Sequence, residues 1–548
     1  MSLRPDALGT VTREPAGIAK SSATIAGWTL VSRAAGFARV AVVAAVLGPT
    51  FYGNLYQTTN LIPNVLYEFL TGALFASLLV PPMVRHVDAG DVQSQRRLAN
   101  GFLGVVLLGY GAVVAVTIVA APWVVRLLTI GVDDPSVQAA QGHAGRILLI
   151  LVMPQVLLYG LIGTAVAAQN AHGRFALAAA SPALENIGVI LTLLATAALF
   201  DVARDIRVVS DAQIIFLGVG STCAVAVHAA LQWWGSSRVG MRLVPRAGWR
   251  DPDVRQLVRL ALPSLGFAAF TTVRYGGIFI VAGSIAGGVV AFQIALTFFY
   301  LPIALAARPV AAAVLPRLSR SELSGDRREF GSHYSGALSL TLFVIVPAAV
   351  ALVGLAPLLA RVVSFGSMAE GNGPRLIALS LMTMGIGVTG EAMFLLATQA
   401  FYARHDARTP FRAMACRSML LFCGMAVALL LVDGSAVLVV LGLSIAVADV
   451  LGGAWLHHRL RRRIDGASAG QGMVLVRTAA AAVVAVIPAR YVASAIAERA
   501  DGVVGAGIGM AAGAVVGVPL YLALQHVARS PEVGQLLTGV GRMRRRPC

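Results

Sequence analysis

The chain has 548 residues, 57% of them hydrophobic and only 12% charged, with a mean hydropathy of +0.79. That is about half the charged fraction of a soluble domain, and it excludes a soluble globular protein. The 43 basic residues outnumber the 25 acidic ones to give +18, and Lys20 is the only lysine, so the positive charge is almost entirely arginine.

In chain order, apolar runs of membrane-crossing length predict fourteen helices. They lie at approximately 24–47, 60–83, 98–127, 142–168, 174–200, 212–235, 256–282, 288–314, 334–363, 375–402, 409–432, 435–457, 474–496 and 503–526. The first span follows a polar segment and lacks a small-residue cleavage site, so it is expected to be retained. Arginine alternates from loop to loop, as the positive-inside rule requires. Arg85, Arg96 and Arg97, then Arg174, then the cluster from Arg238 to Arg259, lie on one side, with later groups around Arg320, Arg404 and Arg461 and in the tail at Arg542 to Arg546. The opposite loops are neutral, acidic or balanced, as in GPTFYGNLYQTTN and TIGVDDPSVQ. Both termini are therefore expected in the cytoplasm, and the basic balance reflects membrane topology rather than a nucleic-acid partner.

A repeat is legible at one offset. VPPMVRHVDAGD from Val80 and LPRLSRSELSGD from Leu315 place Pro81 on Pro316, Arg85 on Arg320, Gly90 on Gly325 and Asp91 on Asp326, each 235 apart. The same shift carries Arg39 onto Arg274, and Arg174 falls 234 before Arg408. Because the shift spans six helices, the halves have parallel orientation and a pseudo-two-fold axis along the membrane normal. The expected fold is all-α and polytopic, with about 14 transmembrane helices in two six-helix pseudo-symmetric lobes around a central cavity, plus two C-terminal helices. The divisions read from the sequence are a cytoplasmic segment 1–22, an N-lobe 23–236, a linker 237–255, a C-lobe 256–463, helices 13 and 14 at 474–528, and a basic tail 529–548.

Ionisable groups within the spans need a reason, since each costs about 2.5–3.5 kcal/mol at the bilayer centre on insertion scales. Arg33 and Arg39 sit in span 1, Arg274 in span 7 and Arg308 in span 8. Repeat equivalence predicts Arg39 and Arg274 on opposite walls of one cationic cleft. A guanidinium suits a phosphate-bearing anion because its planar fork gives bidentate bonds and stays charged. Arg33 and Arg308 could equally snorkel to an interface or pair with a carboxylate. Glu68, Glu185, Glu391 and Asp449 would neutralise these arginines or bind a coupling ion, and His228 reads as interfacial, near the inner end of span 6.

No enzyme signature is present. Lys20 in GIAKSS lacks the preceding glycine of a Walker A loop, core-lysine Schiff-base chemistry is unavailable, and no zinc or dinucleotide motif occurs. The four cysteines form no CxxC pair. No cofactor is expected, with Na+ or H+ left open as the coupling ion.

The stretch SRAAGFARVAVVAAVLG, followed by NLIPN, VPPMVRH, RDPDVRQLVRLALP, FYLPIALAARPVAAAVLPRLSR and QAFYARHDARTP, resembles the MviN/MurJ family of the multidrug/oligosaccharidyl-lipid/polysaccharide exporter superfamily, from about residue 20 to 530. The resemblance implies a flippase for lipid II, the undecaprenyl-pyrophosphate-linked precursor of peptidoglycan, working by alternating access in the bacterial cytoplasmic membrane. It carries Arg33 and Arg39 over as head-group ligands; Arg274 lies outside the matched motif. The chain departs from the family at Asn54, often acidic there, at Tyr67 and Glu68, often basic, and at Thr297, often arginine. Either Arg274 and Arg308 compensate, or the cargo is another polyprenyl-linked glycan. Two other readings stay open: a cation-coupled drug exporter of the same superfamily, and a non-transporting scaffold that holds cell-wall synthesis proteins through the basic tail and the loop around Arg461.

Overall fold

The computed structural model describes residues 15–71, 79–464, 470–500 and 502–534, without the side chains of 15–26, 68–71 and 260–269. The described chain is helical throughout its ordered elements. The first half contains α1 (Pro15–Leu47), α2 (Phe51–Thr71), α3 (Val80–Asp88), α4 (Val92–Val119), α5 (Ala121–Leu128), α6 (Pro135–Val152), α7 (Gln155–Ala171), α8 (Ala176–Leu199) and α9 (Asp211–Arg238). The second contains α10 (Pro252–Gly283), α11 (Gly288–Pro302), α12 (Arg308–Leu323), α13 (Arg327–Gly354), α14 (Ala356–Val363), α15 (Gly373–Gly385), α16 (Gly387–Ala403), α17 (Arg408–Leu431) and α18 (Ala436–Arg461). Last come α19 (Gln471–Ala497) and α20 (Gly502–Val527). Among the described residues, eleven helical segments are long and apolar enough to cross a membrane, or twelve if α15 and α16, bent by 45°, count as one span. The helices α2 and α10 occupy the two remaining expected spans.

Capping explains why the repeated motif has its residues. Gly90 and Gly325 take positive φ (68° and 74°) to end one helix, and the next residue caps the following one. Asp91 accepts from the Ser94 N–H at 2.9 Å and Asp326 from the Glu329 N–H at 2.8 Å. The same offset of 235 relates α5 to α14: both begin Ala-Pro and carry one arginine, Arg126 or Arg361, in the last turn.

The observed helices also correct the sequence reading at their starts. The segment GPTFYGNLYQTTN, read as a loop, forms the first turns of α2. Tyr52, Leu55 and Tyr56 form its buried apolar stripe, and its polar side chains fold back on the helix, Thr58 Oγ1 donating to the Asn54 carbonyl and Thr59 Oγ1 to that of Leu55, both at 2.8 Å. Likewise α6 starts at Pro135, because Asp134 caps it through the N–H groups of Ser136 and Val137. The expected spans 3 and 9 each divide into a long helix and a short one, α4/α5 and α13/α14. Span 8 is interrupted by a π turn at Ile303–Ala307 that separates α11 from α12.

The two halves meet through α1 and α2 against α10 and α11. Asn54 holds both groups of the α10–α11 hairpin, donating from Nδ2 to the Ile285 carbonyl at 2.6 Å and accepting from the Val289 N–H at 3.0 Å. The Gly287 N–H donates to the Thr50 carbonyl at 3.2 Å, and Arg204 pairs with Glu370. These contacts lie at the ends of the spans where the arginine-poor loops are. Phe37 and Phe298 stack edge to face across the halves at 5.7 Å. Outside them, α19 and α20 pack on each other and on α13. At Gly509 a Cβ would lie 2.4 Å from the Ala493 carbonyl oxygen, the close approach that small residues allow between membrane helices.

At the opposite end, the FYARHDARTP loop is organised by Asp406. Its carboxylate accepts from the Thr409 N–H (3.0 Å) and hydroxyl (2.7 Å) and pairs with Arg463 (2.8 Å). Burial pushes this carboxyl up, but the bonds from Thr409 and Arg463 outweigh it and hold the carboxyl below the usual range. A depressed native pKa contributes stability at neutral pH that is lost as pH falls through it. D406A should therefore cost about 1 kcal/mol, as for a lost cap, and thermal unfolding in detergent should show this difference shrinking as the buffer is acidified through the carboxylate range.

Candidate functional site

Five spans of the C-terminal half bring their ionisable side chains to one level. Asp449 on α18 is fully buried and pairs with two guanidiniums, Arg274 of α10 at 3.0 Å and Arg417 of α17 at 2.7 Å. Arg417 also pairs with Glu391 of α16 at 2.5 Å. The helices can close this far because glycines face each other. A Cβ on Gly390 would stand 2.4 Å from the Asp449 carbonyl carbon, and one on Gly453 would stand 2.4 Å from the Gly390 oxygen. Arg417 lies over the ring of Phe394, 4.8 Å from its centroid, which covers the remaining face of the guanidinium.

Above this cluster is a cavity of about 360 Å³. Arg274, Arg308, Arg417 and Glu391 line it together with Tyr300 and Tyr275, whose hydroxyl groups are 2.8 Å apart. Asp449 sits behind the arginines. Three guanidiniums against two carboxylates leave one positive charge in excess, and Arg308, exposed at the wall, makes no ion pair among the described residues. The excess charge of such a cavity favours an anion over a cation.

The N-terminal half carries a second cluster of different chemistry. Glu185 of α8 accepts from the Tyr159 hydroxyl at 3.0 Å and bonds His228 Nδ1 at 2.7 Å. Arg39 of α1 donates to Asn186, the residue after Glu185, at 3.4 Å.

The structure thus brings Arg274, Arg308, Glu391 and Asp449 to one site, and Arg39 and Glu185 to another. Arg39 is not among the residues lining the 360 Å³ cavity, so the repeat-equivalent arginines do not share its wall. Arg33 is exposed on α1 and belongs to neither cluster. Glu68 lies on α2, but its side chain is outside the described residues. Two positions stand out against the sequence reading. His228, read as interfacial, is 5% exposed within the protein, because Glu185 across the α8–α9 contact gives it a buried partner. Arg417 escaped notice because Arg408 and Arg412, nine and five residues before it, read as loop charges. Its position nine residues inside an apolar span was the available signal.

The family model for the lipid II flippase MurJ matches residues 43–507. The chain belongs to the MurJ family. A probable lipid II flippase MurJ of Rhizobium tropici is 26% identical over 399 residues, covering 72% of each chain. A lipid II flippase MurJ of Burkholderia cenocepacia is 25% identical over 396 residues, covering 71% of this chain and 74% of its own. In fold, the chain is similar to a lipid II flippase MurJ in an inward closed conformation, with a TM-score of 0.71 over 92% of this chain and 98% of that one at 16% identity. It is also similar to an inward-facing multidrug resistance MATE transporter of the MOP superfamily, with a TM-score of 0.61 over 79% of this chain and 98% of that one at 13% identity. This MurJ-family protein is therefore a multi-pass membrane protein of a bacterial flippase family with a MurJ/MATE-like fold.

Removing one member of a buried charge cluster leaves its partners uncompensated, which costs about 3–5 kcal/mol. D449N should lower stability in detergent on that scale, whereas E391Q, with its side chain 20% exposed at the cavity, should cost clearly less; thermal unfolding of the two purified variants measures the difference.

Proposed function

We propose that this protein moves lipid II from the inner to the outer leaflet of the bacterial cytoplasmic membrane by alternating access. The match of the MurJ family model across residues 43–507 carries the reading, and the cationic cavity supports it, since a pyrophosphate is the kind of anion it would hold. In this reading residues 23–236 and 256–463 are the rocking lobes, 237–255 links them, and 474–528 lies outside the repeat. The terminal segments 1–22 and 529–548 are cytoplasmic. The arginine-poor ends, latched by Asn54, are then the outer side, so the structure is closed outward.

Arg308 and Arg274 grip the pyrophosphate, with Arg274 released in part from Asp449 while Arg417 continues to neutralise that carboxylate. Arg39, and Arg33 nearer the lipid, guide the anion from the α1 side. Among the departures from the family, Thr297 is answered by Arg308, which lies beyond the π turn of the same span and lines the cavity. The volume of about 360 Å³ lies at the small end of ligand pockets. It suits a phosphate-bearing group while the glycopeptide extends toward the lobe interface and the polyprenyl tail stays in lipid.

The test uses vesicles reconstituted with the full chain and a fluorescent lipid II whose leaflet is read by quenching. Wild type is expected to flip it, and R308A, which breaks no ion pair, should lose at least about tenfold in rate, equivalent to about 1.4 kcal/mol, without loss of thermal stability. Flipping at the wild-type rate in R308A would remove the cavity as the pyrophosphate site. Absence of flipping together with efflux of a cationic drug would favour the exporter reading.

A further inference from the structure

We propose that the Glu185–His228 pair is a proton-binding site, linked to anion binding through Arg39. This rests on the flippase reading and names the ion that reading leaves unassigned. The two clusters make an internal comparison. In the C-terminal half the carboxylates of Asp449 and Glu391 are committed to guanidiniums, which do not exchange protons under physiological conditions. In the N-terminal half the same pair of spans, α8 and α9 in place of α17 and α18, places a carboxylate against an imidazole and a phenol, both able to trade protons.

The geometry fits a proton better than a metal cation. Both Glu185 oxygens are already engaged, Oε1 by the Tyr159 hydroxyl and Oε2 by His228 Nδ1. A sodium ion needs several oxygen ligands, and the ring nitrogen occupies the place of one. With Nδ1 committed to Glu185, Nε2 is the atom at which the pair gains or loses its proton, and it is buried without a hydrogen-bond partner. The helices hold the pair together because Gly188, one turn from Glu185, packs directly on Ala224, one turn from His228.

Few other charged groups face the pair. From α1 comes Arg39, and from α7 comes Tyr159, whose ring meets Tyr67 of α2 at 5.5 Å. From α6, His143 and Arg146 lie toward the far end, His143 pairing with Asp211 at the start of α9. Among the described residues, Arg39 is therefore the guanidinium beside the pair, held through Asn186. When a bound anion recruits Arg39 toward the lobe interface, its positive charge leaves Glu185 and the pair takes up a proton from water, going from net −1 to neutral. Linkage makes the effect reciprocal, so proton binding releases Arg39 for the anion.

The experiment uses the same vesicles with fluorescent lipid II, with and without an imposed pH gradient and with the membrane potential clamped. Wild type should show a several-fold change in flipping rate on imposing the gradient. H228N should flip at the same rate with and without the gradient, and E185Q should lose the response too, carrying the test if H228N does not assemble. In detergent, calorimetry of lipid II binding in buffers of different ionisation enthalpy should show proton uptake in wild type and none in H228N. A wild type that flips lipid II with no gradient response, or a response that survives in both variants, overturns the proton site. A wild type that does not flip lipid II at all overturns the flippase reading instead.

Discussion

Four ionised side chains from four helices, Arg274, Glu391, Arg417 and Asp449, meet where water is largely absent, and the packing of the second lobe is conditional on their charges cancelling. In a low-dielectric interior none of them could be buried alone, because the desolvation cost of a single ion exceeds what apolar packing returns. The helices α10, α16, α17 and α18 are thus tied to one another by charge as well as by shape. The glycine contacts at Gly390 and Gly453 bring the backbones close enough for the pairing to form. The cavity beside them is cationic because Arg308, with no ion pair among the described residues, lines it next to a cluster whose own charges cancel. The residues that tie the helices together therefore also form part of the cavity wall.

The other lobe keeps the architecture and alters the chemistry. Its cluster is smaller, built from Glu185, His228 and Tyr159, and its arginine lies to one side on Asn186 rather than on a carboxylate. Each lobe thus has a buried polar core at the junction of its last two helices. One sets its carboxylates against guanidiniums, and the other sets its carboxylate against an imidazole and a phenol. The repeat governs caps and breaks, as at Asp91 and Asp326, more strictly than it governs the side chains that meet the membrane interior.

Span positions were legible in the sequence because a bilayer imposes a length and a composition on every crossing segment. One exception is instructive. The first turns of α2 are polar, since Asn54, Thr58 and Thr59 satisfy each other's backbone or the neighbouring lobe, and hydropathy has no access to that compensation. The intramembrane arginines Arg39, Arg274 and Arg308 were also legible, being costly enough to stand out. Which carboxylate each would meet was not, because the pairing depends on helix faces separated by 175 residues in the case of Arg274 and Asp449. Arg417 and His228 were missed for a related reason: distance from a loop along the sequence does not measure burial when neighbouring helices cover the site.

The π turn at Ile303–Ala307 gives α12 a freedom that an unbroken helix lacks. A π turn holds one residue more than an α turn. Moving that surplus by one position re-places the residue it passes by about 100° and about 1.5 Å while both flanks of the helix stay where they are. Pro302 and Pro309 stand on either side and have no N–H to donate, so the ladder is already open where the slip would pass. Arg308, the first residue after the turn, would then swing between the cavity and the flank of the lobe without any change in how the lobes are docked. Its place at the wall is thus set by where the surplus residue sits within a single helix as well as by how the lobes are docked.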